Sequence, residues 1–355
     1  MSAADVLLLL AGLALLVAGA ELLVRGAASA ALALGISPLV IGLTVVSFGT
    51  SAPELVTGIM AAARAEPGIV IGNVVGSNIF NVLVILGLAA VIAPLTVDRQ
   101  LVRVDVPVMV ALSFVAWGMA AGGTLARWEG ALLVAGLVAY LLVTVRASRR
   151  AAPELEEKIS DGLPVGKAPR TLVKDVIFVA AGLGLLVWGA AWLVRGASAL
   201  AKGFGVSELV IGLTVVAAGT SLPELATSVV AALRGHTDIA VGNVVGSNIF
   251  NLLAVLGTSS MVASGGISVS PTALGFDFPL MLLVAVACLP VFLSAAKVER
   301  WEGVLFLGVY AGYLVWRLAM AGAASPPSLA LVLVTFGVPL VGLTCLPLVR
   351  RRLRG

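Results

Sequence analysis

An internal duplication constrains this chain more than any other feature. The segment GNVVGSNIFN occurs unchanged at 72–81 and 242–251. GLTVVSFGTSAPELVT at 42–57 matches GLTVVAAGTSLPELAT at 212–227 in 12 of 16 positions, with the same offset of 170 residues. The tetrapeptide RWEG also occurs twice. Because the repeated segments are spread over most of the 355 residues, the two halves are expected to fold alike.

Composition places both halves in a membrane. Hydrophobic residues make up 60% of the chain and charged residues 11%, whereas a soluble domain is about 25% charged. Most of the chain consists of apolar runs long enough for a transmembrane helix, which needs about 20 residues. We predict an all-α polytopic membrane protein with five spans in each half and an eleventh C-terminal helix. The predicted spans are 4–24, 38–63, 68–94, 105–122, 128–146, 173–194, 208–233, 238–263, 276–295, 301–318 and 328–349.

The number of spans in each half determines how the halves are related. Because five is odd, the second copy must enter the membrane from the opposite side, which gives the inverted-topology repeat of secondary transporters. We predict a first repeat at 1–146, a polar and flexible cytoplasmic linker at 147–172, a second repeat at 173–320, and an extra helix with a basic tail at 321–355.

The basic residues predict the orientation of the chain. Cytoplasmic loops of membrane proteins are enriched in Lys and Arg. Loops on the N-terminal side of the predicted topology contain only five of the 22 basic residues, namely Arg64, Arg127, Arg195, Lys202 and Arg317. We therefore expect a multi-pass protein of a prokaryotic inner membrane with the N-terminus outside. The linker and the C-terminus are expected in the cytoplasm.

A carboxylate in the second span is the first candidate for a functional site. Residues 26–53 contain no charged side chain before Glu54, and a charge at bilayer depth costs about 2.5–3.5 kcal/mol even on low estimates. Pro53 and Gly49 are expected to break the helix and free backbone carbonyls. Thr50 and Ser51 lie about one turn before Glu54, so all three can share one face. Such oxygen ligands suit Ca²⁺, Mg²⁺ or Na⁺.

The second repeat contains the same residues, and a second motif accompanies each copy. The residues equivalent to the Glu54 set are Gly219, Thr220, Ser221, Pro223 and Glu224. GNVVGSNIFN places polar side chains at i, i+4 and i+8, which are Asn73, Ser77 and Asn81 in one copy and Asn243, Ser247 and Asn251 in the other. Such a stripe serves either as interhelical contact or as a ligand set. Packed about a pseudo-two-fold axis, the halves would bring both carboxylates into one midplane site of charge −2.

Other functional classes find little support. The chain has one histidine and two cysteines in apolar runs, so it lacks a nucleophile–base set, a His-rich metal site and a disulfide framework. The net charge of +4 comes from membrane-flanking loops, and no nucleic-acid binding is expected. We predict a protein that is not an enzyme, that needs no cofactor, and whose surroundings are the lipid bilayer with no obligate protein partner.

The doubled GTS-PE and GSNIFN segments resemble the α-repeats of the calcium:cation antiporter superfamily, in particular prokaryotic sodium/calcium exchangers. The resemblance covers nearly the whole chain except the last helix. It implies that Glu54 and Glu224 are carboxylates shared by Ca²⁺ and Na⁺. It further implies hydroxyl and carbonyl ligands from Thr50, Ser51, Thr220 and Ser221, backbone oxygens of Ser47 and Ala217, flanking Na⁺ sites at Ser77 and Ser247, and Asn81 and Asn251 at the centre.

The function that follows is export of Ca²⁺ in exchange for Na⁺ by alternating access. Many sodium-coupled members of the superfamily have Asp at one of the two positions that are Asn81 and Asn251 here, which leaves coupling to H⁺ on the same fold as an alternative. A cation channel is an alternative from a different class, although a complete inverted duplication in one chain favours a transporter.

Overall fold

The structure is a computed structural model that describes residues 3–160, 172–204, 217–295, 297–319, 332–337, 340 and 342. It is almost entirely helical, as predicted. Of the predicted seventh span, residues 208–216 lie outside the described residues. The predicted eleventh helix also lies mostly outside them, apart from a π-helical turn at Leu333–Gly337 and two further positions.

The helices follow the two repeats. The first repeat contains α1 (Ala3–Leu34), α2 (Pro38–Thr50), α3 (Ala52–Ala63), α4 (Pro67–Ile92), α5 (Leu101–Ala120) and α6 (Arg127–Ser160). The second contains α7 (Leu172–Gly203), α8 (Ala217–Gly219), α9 (Leu222–Leu233), α10 (Thr237–Val262), α11, which is a π-helical turn at Ala273–Asp277 continued by Phe278–Ala295, and α12 (Arg300–Ala319).

Within the described residues, seven helices are long and apolar enough to cross a membrane, and the bent pair of α2 and α3 makes an eighth. This confirms the prediction of a polytopic membrane protein. Three helices extend well beyond their predicted spans, since α1 runs to Leu34, α6 to Ser160 and α7 to Gly203.

The extension of α6 changes the prediction for the linker. Residues 147–160, interpreted from the sequence as the start of a flexible segment, continue the helix, while 161–171 lie outside the described residues. This stretch is rich in Ala, Glu and Arg, which favour helix, and it extends a helix that has already formed. A single Pro153 does not end it.

Packing divides the chain into two compact units that do not coincide with the repeats. The first unit comprises Met1–Pro53 and Val138–Asn243, and the second comprises Glu54–Leu137 and Val244–Gly355. Each unit therefore contains segments of both repeats.

In the first unit, α1 and α7 pack along their lengths through glycines spaced seven residues apart. Gly12 faces Leu193, Gly19 faces Leu186, and the order of contacts runs in opposite directions along the two helices. A Cβ atom on any of the six glycines would lie 2.5 to 2.9 Å from the backbone of the other helix; these are Gly12, Gly19, Gly26, Gly182, Gly189 and Gly196. Because α1 and α7 are equivalent in the two repeats, their antiparallel packing follows from an inverted duplication.

In the second unit, four two-residue strands show the same inversion. β1 (Leu95–Thr96) precedes α5 and pairs with β4 (Lys297–Val298), which follows α11. β2 (Thr124–Leu125) follows α5 and pairs with β3 (Ile267–Ser268), which precedes α11. The loop before α5 therefore shares a side with the loop after α11. If the two repeats were inserted in the same direction, the loop before α5 would lie on the same side as its equivalent, the loop before α11. The observed pairing of non-equivalent loops therefore requires opposite directions.

The repeated RWEG segment starts α6 and α12 and packs each against the helix that contains a GSNIFN motif. Glu129 accepts a hydrogen bond from the backbone N–H of Ala126 (2.7 Å), and Glu302 accepts one from Glu299 (2.8 Å), so both carboxylates cap their own helix. The glycine of each copy packs closely against the helix that contains the GSNIFN motif. A Cβ on Gly130 would lie 2.5 Å from the main-chain oxygen of Gly257, and a Cβ on Gly303 would lie 2.5 Å from the main-chain oxygen of Gly87.

Candidate functional site

The helix of the first GTS-PE motif breaks at Ser51, two residues before Pro53. α2 and α3 meet at an angle of 44°, and Ser51 has φ −79° and ψ 6°. Ser221 has nearly the same conformation, φ −89° and ψ 9°, between α8 and α9. The glycines of both motifs are also needed for space, because a Cβ on Gly49 or Gly219 would lie 2.5 Å from a side chain of α7. The sequence predicted the break but not this packing.

In the first unit, hydroxyl groups of the first repeat contact the acidic motif of the second. Ser51 Oγ donates a hydrogen bond to Glu224 Oε1 at 3.0 Å. Glu224 is 1% exposed, and its Oε2 has no hydrogen-bond partner among the described residues. Thr50 Oγ1 donates to Asn243 Oδ1 at 3.1 Å, and Ser47 Oγ donates to the main-chain oxygen of Asn243 at 3.1 Å. The two repeats thus jointly build the surroundings of this carboxylate.

Each acidic residue is anchored through its backbone by the first asparagine of the following motif. Asn73 Nδ2 donates to the carbonyl oxygen of Glu54 at 2.9 Å in the second unit, and Asn243 Nδ2 donates to that of Glu224 at 3.3 Å in the first. Asn243 also donates to Ser228 Oγ at 3.0 Å. These two asparagines therefore position the carboxylates, a role that the sequence did not reveal.

Four asparagine side chains form a second polar group inside the second unit, which we call the amide cluster: Asn78, Asn81, Asn248 and Asn251. Asn81 Nδ2 donates to Asn248 Oδ1 at 2.9 Å, and Asn251 Nδ2 donates to Asn78 Oδ1 at 3.2 Å. All four are at most 2% exposed. The sequence singled out only Asn81 and Asn251, although GSNIFN contains two asparagines three residues apart, the spacing of neighbours on one helix face.

The helices change geometry directly after this cluster. Asn81 and Asn251 are the first residues of π-helical turns that run to Leu86 and Leu256. Another of the π-helical turns, Gly42–Val46, precedes the GTS-PE motif of the first repeat. Single π-helical turns inside α-helices occur frequently at functional sites.

The remaining predicted residues vary in their surroundings. Ser47, Ser77, Ser221 and Ser247 are buried, and Ser247 Oγ has no hydrogen-bond partner in the part of the chain that the structure describes. Thr220 is half-buried, and Ala217 is the first residue of α8. Glu54 is 1% exposed and lies in the first turn of α3.

The chemistry of these groups suits a hard cation. They offer carboxylate, amide, hydroxyl and main-chain oxygens, the ligands that Ca²⁺ and Na⁺ prefer. The described residues contain no group of three or more His, Cys, Asp or Glu that could hold a metal ion, so any ion here must rely on neutral oxygens as well. Lys and Arg are absent from 26–63 and 203–233, the stretches around the two carboxylates.

Two inverted repeats with buried, oxygen-rich motifs define a membrane transport protein. The family model for the sodium/calcium exchanger protein matches residues 5–146 and 174–319, and the chain belongs to this family. It is accordingly an antiporter and not an enzyme.

Individual relatives agree with this assignment. The chain is 39% identical over 289 residues to the inner membrane protein YrbG of Escherichia coli (strain K12), covering 80% of this chain and 86% of that protein. It is 32% identical over 304 residues to the sodium/calcium exchanger MaX1 of Methanosarcina acetivorans, covering 77% and 86%. A solved structure of the sodium-calcium exchanger NCX_Mj, soaked with zero Na⁺ and Ca²⁺, superposes with a TM-score of 0.76 and 31% identity over 89% of this chain and 99% of that one.

Proposed function

We propose that this protein exports Ca²⁺ in exchange for Na⁺ by alternating access. The observation that carries the proposal is the environment of the Glu224 carboxylate, which is 1% exposed. Its Oε1 accepts a hydrogen bond from Ser51, and its Oε2 has no hydrogen-bond partner among the described residues. A buried carboxylate is costly unless a positive charge and further polar contacts compensate it. The nearby stretches of the chain provide no Lys or Arg, so a bound cation is the natural partner.

The ligands proposed for the ions are those of the two repeats. Glu54 and Glu224 supply the negative charge, and together they balance one Ca²⁺ or two Na⁺. Neutral oxygens complete the set from Thr50, Ser51, Thr220, Ser221, Ser77, Ser247, Asn81 and Asn251 and from the main chain of Ser47 and Ala217. Burial of most of these side chains supports their assignment.

Exchange follows from competition for the same carboxylates. Because Ca²⁺ and Na⁺ both require Glu54 and Glu224, one ion must leave before the other binds. A transporter whose carboxylates are both empty would have to carry bare charges through a low-dielectric barrier, which is costly. Only ion-loaded forms then change access readily, and Na⁺ entry can drive Ca²⁺ out.

We further propose that the protein lies in a prokaryotic inner membrane with its N-terminus outside. The uneven distribution of basic residues supports this orientation. On the side of β1 and β4, Arg99 and Lys297 lie in the connecting segments, and Arg103 and Arg300 lie in the first turns of α5 and α12. On the side of β2 and β3, the first turn of α6 contains Arg127, and the connecting segments 121–126 and 263–272 contain no Lys or Arg. A reporter fused to the C-terminus that is active only in the cytoplasm tests it. An inactive reporter at this position, together with activity of a C-terminal reporter that works only in the periplasm, would overturn the orientation.

Coupling to H⁺ is the second candidate. It is favoured by one observation: the amide cluster is neutral, since asparagine occupies both position 81 and position 251. The only carboxylates in the proposed ligand set are then Glu54 and Glu224, and protons can compete for them as Na⁺ does.

Flux measurements in proteoliposomes distinguish these functions. Radiolabelled Ca²⁺ uptake is measured into vesicles loaded with Na⁺, and into vesicles loaded with choline at acidic internal pH. Uptake driven only by outward Na⁺ supports sodium/calcium exchange, and uptake driven only by the proton gradient favours the second candidate. Uptake indifferent to either gradient indicates a channel and refutes both.

Three variants assign the flux to the site. Glu54→Gln and Glu224→Gln should each abolish uptake, while the exposed Glu66→Gln should leave it unchanged. Normal transport by either of the first two would show that the carboxylates are assigned wrongly.

A further inference from the structure

The four side chains of the amide cluster are joined by two equivalent sets of hydrogen bonds. In addition to the bonds between side chains, Asn248 Nδ2 donates to the main-chain oxygen of Asn78 at 3.3 Å, and Asn78 Nδ2 donates to that of Asn248 at 3.4 Å. The same two nitrogens lie near thioethers, Met109 Sδ at 3.5 Å from Asn248 and Met281 Sδ at 3.6 Å from Asn78.

These contacts determine which way each amide faces. A main-chain carbonyl and a thioether can only accept hydrogen bonds. Asn248 must therefore turn its nitrogen toward Asn78 O and Met109, which leaves its oxygen facing Asn81. Asn81 must in turn present its nitrogen to that oxygen. In the same way, Asn78 must turn its nitrogen toward Asn248 O and Met281, which leaves its oxygen to accept the hydrogen bond from Asn251 Nδ2.

The consequence is that two oxygens remain available. Asn81 Oδ1 and Asn251 Oδ1 are buried and have no hydrogen-bond partner among the described residues. An asparagine that is free to turn offers either an N–H group or an oxygen, and the N–H group repels a cation. A buried acceptor left without a donor is unfavourable unless something positive satisfies it.

We propose that Asn78 and Asn248 are positioning residues that hold Asn251 and Asn81 with their oxygens toward a bound cation. This inference rests on the proposed function, because it assumes that the cation lies on the side of Asn81 Oδ1 and Asn251 Oδ1. Asn78 and Asn248 do not contact the ion. They exclude the amide orientation in which N–H groups would face it.

The inference predicts that the effect of Asn248→Leu on Ca²⁺ affinity depends on which residue occupies position 81. In the natural background, Asn248→Leu removes the oxygen that holds Asn81 Nδ2, so Asn81 can turn and Ca²⁺ binding should weaken about tenfold, a coupling typical of neighbouring hydrogen-bonded residues. In an Asn81→Asp background, both oxygens of the new carboxylate are acceptors, and one of them would face Asn248 Oδ1 without a proton between them. Asn248→Leu should then leave Ca²⁺ binding unchanged or strengthen it.

The pseudo-symmetry of the cluster supplies a matched control. Asn78 holds Asn251 and not Asn81. Asn78→Leu should therefore still weaken Ca²⁺ binding about tenfold in the Asn81→Asp background. It should no longer weaken Ca²⁺ binding only when it is combined with Asn251→Asp. Met109→Leu removes the weaker of the two acceptors near Asn248 and should change the affinity less than about twofold.

The experiment is Ca²⁺ titration calorimetry on the purified full chain for the natural protein, the single variants and the four double variants. Thermal unfolding in Ca²⁺-free choline buffer shows that each variant is folded, and Asn248→Ala or Asn78→Ala replaces any leucine variant that is not. A loss of Ca²⁺ affinity that disappears or reverses in the paired backgrounds, with the crossed pairs additive, supports the inference. An equal loss in every background overturns it and shows that the two asparagines act only as packing.

The outcome for the proposed function is read separately. Glu224→Gln titrated alongside should bind no Ca²⁺. If it does not bind while the asparagine variants show equal losses, the exchanger assignment stands and only the positioning role fails. If the natural protein does not bind Ca²⁺ at all, both are overturned.

Discussion

Replacing Glu224 by glutamine should abolish the stabilisation that Ca²⁺ gives the folded protein, without lowering the stability of the Ca²⁺-free protein. Glutamine keeps an oxygen that can accept the hydrogen bond from Ser51 Oγ, which is 3.0 Å from Glu224 Oε1. It replaces Oε2, which has no partner among the described residues, by an uncharged NH₂ group. Burying an uncompensated charge costs several kcal/mol, which is more than the cost of about 1–3 kcal/mol for the unsatisfied NH₂ group. Without ions the variant should therefore be at least as stable as the natural protein.

Ca²⁺ should stabilise the natural protein but not the Glu224→Gln variant. At a free Ca²⁺ concentration 100 times Kd, binding stabilises the folded state by about 2.7 kcal/mol, and the variant, lacking the charge that holds the ion, should gain nothing. The assay is thermal unfolding of the purified protein in choline buffer, with chelator or with Ca²⁺. Glu66→Gln, which changes an exposed carboxylate, is the matched control and should respond to Ca²⁺ as the natural protein does. A Ca²⁺-induced shift in the Glu224 variant equal to that of the control would refute the reasoning.

Three further outcomes test the fold. Gly189→Val should destabilise the folded protein by about 3 kcal/mol and lower the yield of monodisperse protein, because its Cβ would lie 2.7 Å from the backbone of α1. Gly184→Val, which has open space around its Cβ, should leave that yield unchanged. Cysteines at Thr96 and Lys297 should form a disulfide in a cysteine-free background, and so should cysteines at Thr124 and Ser268; a bond between positions 96 and 268 would contradict the inverted pairing. Glu21→Gln removes ion pairs to Arg25 and Arg234 (2.5 and 2.9 Å), and should lower stability by about 1 kcal/mol or less, with a loss that disappears at high salt in thermal unfolding.

The polar residues of the candidate site could be found from the sequence because its motifs are local. Thr50, Ser51 and Glu54 stand out within an apolar segment, and all three are buried, but the helix breaks at Ser51, and Thr50 and Ser51 contact residues of the second repeat. The stripe of Asn73, Ser77 and Asn81 was harder to interpret. It extends about 12 Å along α4, and its two ends have different partners: Asn73 binds the Glu54 carbonyl, and Asn81 binds Asn248. One pattern on one helix thus serves two roles.

Partners distant in the chain could not be predicted. Ser51 and Glu224 are 173 residues apart, and Thr50 and Asn243 are 193 apart. No periodicity within a helix encodes which residue of another helix lies opposite, because that depends on how whole helices pack. Asn78 and Asn248 were missed for the same reason. Their role comes from main-chain carbonyls and thioethers that they meet only in the folded chain.

The sequence by itself determined the membrane environment, the duplication and its inversion. Apolar run length and an odd number of spans decide these properties before any helix packs. Only the tertiary structure decided how the repeats interleave. Its two compact units each take segments from both repeats, and α1 and α7 approach closely through six glycines whose common purpose the sequence alone does not show. Close packing depends on the shapes of two surfaces together, whereas hydropathy and parity are properties of the chain alone.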